Sequence, residues 1–141
     1  MSVERLILIT GMHRSGTSVV TRLCNLLGAD IGGDMLPATP DNPKGYWENA
    51  AAFHLHASVF EAYGQSWNAL SSLPDGWAHD ETGDRISDEL KSIIETEFVG
   101  PLAVLKDPKL CRLLPLWSRV CQDLTIEPLA IMALRHPMAV A

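Results

Sequence analysis

The chain has 141 residues, of which 47% are hydrophobic and 20% charged, enough for one domain around a single core. Its net charge of −6 excludes a general affinity for nucleic acid or an acidic membrane surface, so an anion site must be a local concentration of donors on an acidic protein. The three cysteines, Cys24, Cys111 and Cys121, form no CxxC pair, which argues against a disulfide framework or a zinc site and for reduced thiols in a cytoplasmic protein.

Residues 4–10, ERLILIT, form a short apolar, β-branched run that suits a strand buried on both faces. Gly11 breaks it, and from Thr17 the pattern turns helical. Val20, Leu23 and Leu27 share one face with Val19 and Leu26 beside it, and Gly28 follows as the stop. Residues 29–46 are rich in Gly, Pro and Asp and read as a long loop of the kind that carries function. The spacing predicts a helix over 47–63, packed through Phe53, Leu55, Val59, Phe60 and Tyr63, and an irregular stretch over 64–81. Asp84 is the expected cap of a helix over 85–98, with Ile86, Leu90, Ile93, Ile94 and Phe98 at helical spacing. LAVLKDP after Pro101 reads as a second strand, residues 111–124 as a helix, and EPLAIMALRHP as a third strand. Strands alternating with helices predict an α/β fold: a parallel sheet of P-loop type flanked by helices. No apolar run approaches the ~18 residues that span a bilayer.

The stretch GMHRSGTS, residues 11–18, has the build of a phosphate-binding loop. Gly11 and Gly16 keep the G-x-x-x-x-G spacing, but Thr17 stands where a nucleotide-triphosphate loop has its lysine, and Ser18 follows. Glycines let successive amide N–H groups converge on an anion, and the next helix adds its free amides and the positive end of its dipole. Thr17 and Ser18 add hydroxyls. Arg14, inside the loop, is the substitute cation, since a guanidinium is permanently charged and bonds oxyanions in pairs. Without the lysine, hydrolysis of ATP or GTP is disfavoured, while affinity for a single phosphate or phosphosulfate is retained. The bland alternative is that the two glycines only make a tight strand-to-helix turn.

At GMHRSGTS the sequence resembles the sulfotransferases that use 3′-phosphoadenosine 5′-phosphosulfate (PAPS), whose 5′-phosphosulfate loops read P-K-S-G-T-T or R-S-G-T-T. NPKGYWEN at 42–49, LKDPKLCRLLPLW at 105–117 and ALRHPMAVA at 133–141 resemble further family segments in the same order. The resemblance implies that Gly11, Arg14, Ser15, Gly16, Thr17 and Ser18 hold the 5′-phosphosulfate, that Arg135 binds the 3′-phosphate, and that Lys106 faces the sulfuryl oxygens. No metal is implied. Family members with a histidine two residues after the matching lysine use it as base; here that position is Pro108. Glu48 is the candidate base instead, by likeness to the tyrosylprotein enzymes, with Asp41 and His54 as weaker alternatives. His13, His56, His79 and His136 read as packing or surface residues.

The family's 3′-phosphate serine would fall at position 143, so the resemblance covers the N-terminal part of such an enzyme and implies a sheet truncated after its third strand, with little transfer activity by itself. Two other readings stand beside a sulfotransferase: a P-loop kinase or nucleotide-binding protein, with LAVLKD as a magnesium-holding strand end, and a non-catalytic fragment. The acceptor, a hydroxyl or amine compound, is not legible, and an open sheet edge makes a homodimer plausible.

Overall fold

The computed structural model describes residues 2–140. In chain order the elements are strand β1 (Arg5–Gly11), helix α1 (Thr17–Leu26), helix α2 (Ala50–Ala62), a single 3₁₀ turn (Trp77–His79), helix α3 (Glu81–Glu97), strand β2 (Leu102–Lys106), helix α4 (Leu110–Asp123), strand β3 (Glu127–Ala133) and the one-turn helix α5 (Pro137–Val140). The three strands are parallel in the order β2-β1-β3, with Ile9 beside Lys106 on one side and Gly11 beside Ala133 on the other. The α/β class with helices on both faces of an open parallel sheet is therefore as the alternation of strand and helix patterns predicts.

Strand β1 lies in the middle, which explains its nearly continuous apolar run. Its side chains alternate between two cores. Leu6 and Leu8 join Ala103 and Leu105 under α2, α3 and α4, while Ile7 and Ile9 join Leu102 and Val104 under α1. Strand β3 is an edge whose residues stay largely exposed, Leu129 and Met132 among them.

Three sequence expectations need correction. The apolar stripe of α1 does not face the sheet: Val19, Leu23, Leu26 and Leu27 are all more than half exposed. Thr17 and Thr21 are buried instead, and Val20 and Cys24 pack on the second core. A threonine can fill an inward position because its hydroxyl is satisfied locally, as Thr21 Oγ1 donates to the Thr17 carbonyl at 2.8 Å. Hydrophobic periodicity chose the wrong face because it scores threonine as polar. The C-terminal stop is where Gly28 predicts it, with the Gly28 and Ala29 amides donating back to Asn25 and Cys24.

Helix α3 begins a turn earlier than expected. Asp80, not Asp84, is its cap, and its Oδ1 accepts from the Gly83 amide at 2.9 Å. Gly83 is pressed against the backbone of Trp77 and Ala78, where no Cβ would fit, so the 3₁₀ turn and the helix start as one unit. Asp84 faces outward and pairs with Arg119 at 2.7 Å. Helix α2 starts at Ala50, later than predicted, because Asn49 caps it by accepting from Ala52 N at 2.9 Å. That leaves residues 46–48 outside any helix or strand, in the stretch that borders the loop end of the sheet. Among the described residues, no helix is long and apolar enough to cross a membrane. Cys24, Cys111 and Cys121 are free thiols, and burial pushes Cys121 up to about 11.

Candidate anion-binding site

Strand order puts β2 and β3 on opposite sides of β1, so the chain leaves β1 at the point where the order reverses. In open α/β sheets the crevice at the carboxyl ends of the strands beside such a point is where ligands bind. Loop 11–16 follows β1, Lys106 ends β2, and Arg135 follows β3. Together with the stretch before α2 they enclose a cleft of about 480 Å³ lined by Arg14, Gly16, Thr17, Ser18, Asp41, Glu48, Lys106 and Arg135, with His13, Asn42 and Tyr46. Four segments that are distant in sequence meet there.

The loop has the backbone that its glycines predict. Gly11 has φ 146° and Gly16 φ 92°, both in the region closed to most side chains. Gly11 is also held by contact: a Cβ there would lie 2.6 Å from the Ala133 carbonyl oxygen and 3.1 Å from Thr17 Cγ2. Gly16 has open space instead and serves α1 as its N-cap with no side-chain hydrogen bond. Among the described residues, the first backbone amide of α1 with a carbonyl partner is Val20, which donates to Gly16 at 3.1 Å. The amides before it are free to meet an anion. Gly11→Ala should therefore lower stability by about 1–3 kcal/mol, through overpacking against backbone. Gly16→Ala, which meets only the φ penalty, should cost less; urea denaturation of the two variants checks the order.

Among the described residues, Arg14 and Trp47 are two of three non-glycine residues with positive φ, at 62° and 58°. Both lie in segments that border the cleft, as backbone held in a sparsely populated conformation commonly does at functional sites. Arg135 Nη1 donates to the Arg14 carbonyl at 3.0 Å, tying the end of β3 to the loop.

Lys106 is more committed than a free phosphate ligand would be. Its ammonium donates to Glu48 Oε1 at 2.5 Å, to the Tyr46 carbonyl at 3.1 Å and to Ser18 Oγ at 3.4 Å. Ser18 Oγ in turn donates to the Tyr46 carbonyl at 3.2 Å. Glu48 and Lys106 are almost fully buried. Burial raises the Glu48 pKa above the usual carboxylate value, and the Lys106 charge and hydrogen bond only partly oppose this. His13 is pushed down, first by burial and then by Lys106 and Lys109, so its imidazole is neutral at physiological pH. With Glu48 spent on Lys106, Arg14 and Arg135 face only Asp41, and the cleft wall is locally cationic on an acidic chain.

Ser15 and Gly11 line an adjoining cavity on the β3 side, also bordered by Arg135. His54, His79 and His136 are exposed and do not line the cleft. His56, expected as a packing or surface residue, is fully buried, and the network it centres was not foreseen. Trp117 Nε1 donates to His56 Nε2 at 2.9 Å, and because an indole only donates, the ring proton sits on Nδ1 and points at Asp107 Oδ2, 2.7 Å away. Asp107 Oδ1 takes the Lys109 amide at 2.8 Å and the Lys109 ammonium at 3.1 Å. Burial works against ionisation of Asp107, yet these partners together hold its pKa below the ordinary value. Both oxygens of Asp107 are therefore occupied from within the protein. The signal for this network was the K-D-P-K run at 106–109, but its histidine lies about fifty positions away in a helix read only for packing. No protein-family model, no curated protein and no solved structure matches the chain.

Proposed function

We propose that the chain binds 3′-phosphoadenosine 5′-phosphosulfate and takes part in transfer of its sulfuryl group to an acceptor. The observation that carries this reading is the convergence of Arg14, Gly16, Thr17, Ser18, Lys106 and Arg135 on one cleft, since these are among the residues that the sulfotransferase resemblance assigns to the cofactor, with Gly11 and Ser15 lining the adjoining cavity. The donor set fits such a ligand: uncapped helix amides and an unpaired guanidinium suit a singly substituted phosphate or sulfate, and Arg135 suits a second phosphate. When bound, the cofactor supplies an activated sulfuryl group and leaves as adenosine 3′,5′-bisphosphate.

The chain's own residues divide the work. The amides at the start of α1, with Arg14, hold the anionic end and compensate charge there. Lys106 fixes Glu48 from one side. Glu48, with its raised pKa, is the proton acceptor for an attacking hydroxyl, because a carboxylate of higher pKa is the stronger base. Ser18 and the Tyr46 carbonyl lock Lys106 in turn. A P-loop kinase is less well supported: the loop lysine is absent, and Asp107, the residue a magnesium ion would need, is buried and bonded to His56 and Lys109.

Calorimetry with adenosine 3′,5′-bisphosphate, with and without EDTA, tests the reading. Binding that ignores EDTA is expected, and a requirement for magnesium or a preference for ATP would overturn it. Arg14→Ala should weaken bisphosphate binding by about 1.5–3 kcal/mol, the worth of a charged hydrogen bond. An unchanged Kd in the folded variant would remove Arg14 from the site.

A further inference from the structure

Next to the cleft lies a second cavity of about 350 Å³, walled by Leu36, Phe53, Ala57, Trp67 and Pro108. His13, Tyr46 and Glu48 line both spaces, so the two meet at a shared seam. The cavity has the size and the apolar walls of a small-molecule site, with a few polar groups to orient a ligand. Trp67 is braced by the His13 ring, edge to face at 5.0 Å.

The polar groups are specific in what they offer. Lys109 is 3% exposed and lines this cavity. Its ammonium touches Asp107 Oδ1 at 3.1 Å and sits 3.4 Å from the centre of the Phe53 ring, and among the described residues it has no other oxygen partner. An ammonium has three N–H donors, so donor capacity remains. Glu48 uses Oε1 on Lys106, and its Oε2 has no hydrogen-bond partner among the described residues. Two lining residues thus keep spare hydrogen-bonding capacity, donors on Lys109 and an acceptor on Glu48, each within an ion pair that balances to zero.

We infer that this cavity binds a compact, uncharged, ring-sized alcohol, whose hydroxyl accepts from Lys109 and donates to Glu48. A hydroxyl is the small head that does both. An ammonium can only donate and would face Lys109; a carboxylate can only accept and would face Glu48. The binding site stands on its own geometry, whereas its use for the sulfuryl acceptor rests on the function proposed above; under that reading an alcohol is the acceptor and an amine is not.

Three probes with one body test this: indan-2-ol, 2-aminoindane and indane-2-carboxylate, titrated into the full chain near neutral pH without nucleotide and followed by amide NMR shifts. The alcohol should bind at least tenfold more tightly than either charged analogue, with the largest shifts at Phe53, Ala57 and Trp67. Lys109→Met should erase that preference. Because that substitution also disturbs Asp107, Ala57→Phe provides a second check: it fills the cavity while leaving every charged residue of both ion pairs in place, and should abolish binding while the chain stays folded. Equal or tighter binding of a charged analogue, shifts centred elsewhere, no binding of the alcohol, or undiminished binding to Ala57→Phe would each overturn the inference. Bisphosphate binding measured on the same samples separates the two ideas. Its loss with alcohol binding intact would sink only the sulfotransferase reading, and the converse would sink only the alcohol site.

Discussion

Asp107→Ala should be among the most destabilising single substitutions in the chain, lowering unfolding free energy by about 3–5 kcal/mol, the usual cost of breaking a buried charged pair by removing one partner. Against a total stability of about 5–15 kcal/mol for an ordinary domain, that is a large fraction. The physical reason is that three donors lose their acceptor together. His56 Nδ1–H, the Lys109 amide and the Lys109 ammonium are all buried, and none has a second oxygen among the described residues. Asp107→Asn should cost less but still measurably. Its carbonyl can serve Lys109, but its NH₂ would then face the Nδ1–H of His56. Moving the ring proton to relieve that clash would break the bond from Trp117. Urea denaturation monitored through tryptophan fluorescence measures both variants, and a loss below 1 kcal/mol for Asp107→Ala would show that the network does not hold the fold together.

The same network gives a pH dependence of known sign. The folded pKa of Asp107 lies below its ordinary value of 3.8, so the stabilisation is complete above pH 3.8 and is lost as pH falls through the lower, folded value. The wild-type chain should lose stability in that acid window. Asp107→Asn, which has nothing to protonate, should lose less of its remaining stability there.

Lys106→Met should be nearly as damaging at pH 7, by about 3–5 kcal/mol, because it strands Glu48 in a buried site without its cation. Here the pH dependence runs in the opposite direction. The folded pKa of Glu48 is already raised above 4.5, and without Lys106 it should rise further. A group whose folded pKa is raised contributes stability below its unfolded value and loses it as pH rises through the folded value. The variant should therefore regain stability between pH 7 and pH 5, where the wild type gains less. Adding Glu48→Gln should restore most of the loss at pH 7, since an amide does not need a cation beside it. If the double variant is as unstable at pH 7 as Lys106→Met alone, the damage comes from the missing lysine's other bonds, to Ser18 and the Tyr46 carbonyl, and not from the stranded carboxylate.

What the sequence determined by itself is whatever short-range geometry dictates. Strand β1, the loop at 11–16 and the start of α1 were legible because glycine spacing, chain direction and helix onset are decided within about a dozen residues. The left-handed turns at Gly11 and Gly16 follow directly from that spacing. The alternation of strands and helices likewise pointed to a parallel sheet with helices on both faces, because parallel strands need crossovers long enough to hold a helix. Tertiary structure decided the rest, and long-range pairing is the reason. Lys106 and Glu48 are 58 positions apart, and His56 and Trp117 are 61 apart, so no local pattern could report that each pair is buried in contact. The inward face of α1 was decided by which side of the helix met β1, and two threonines won that face because the main chain could satisfy the Thr21 hydroxyl. Lys109 shows the limit most clearly. In the sequence it is a lysine after a proline at a strand end, a place where solvent is the ordinary neighbour. Only the packing of α2 against the end of β2 puts Phe53 and Asp107 around its ammonium and turns it to face a cavity.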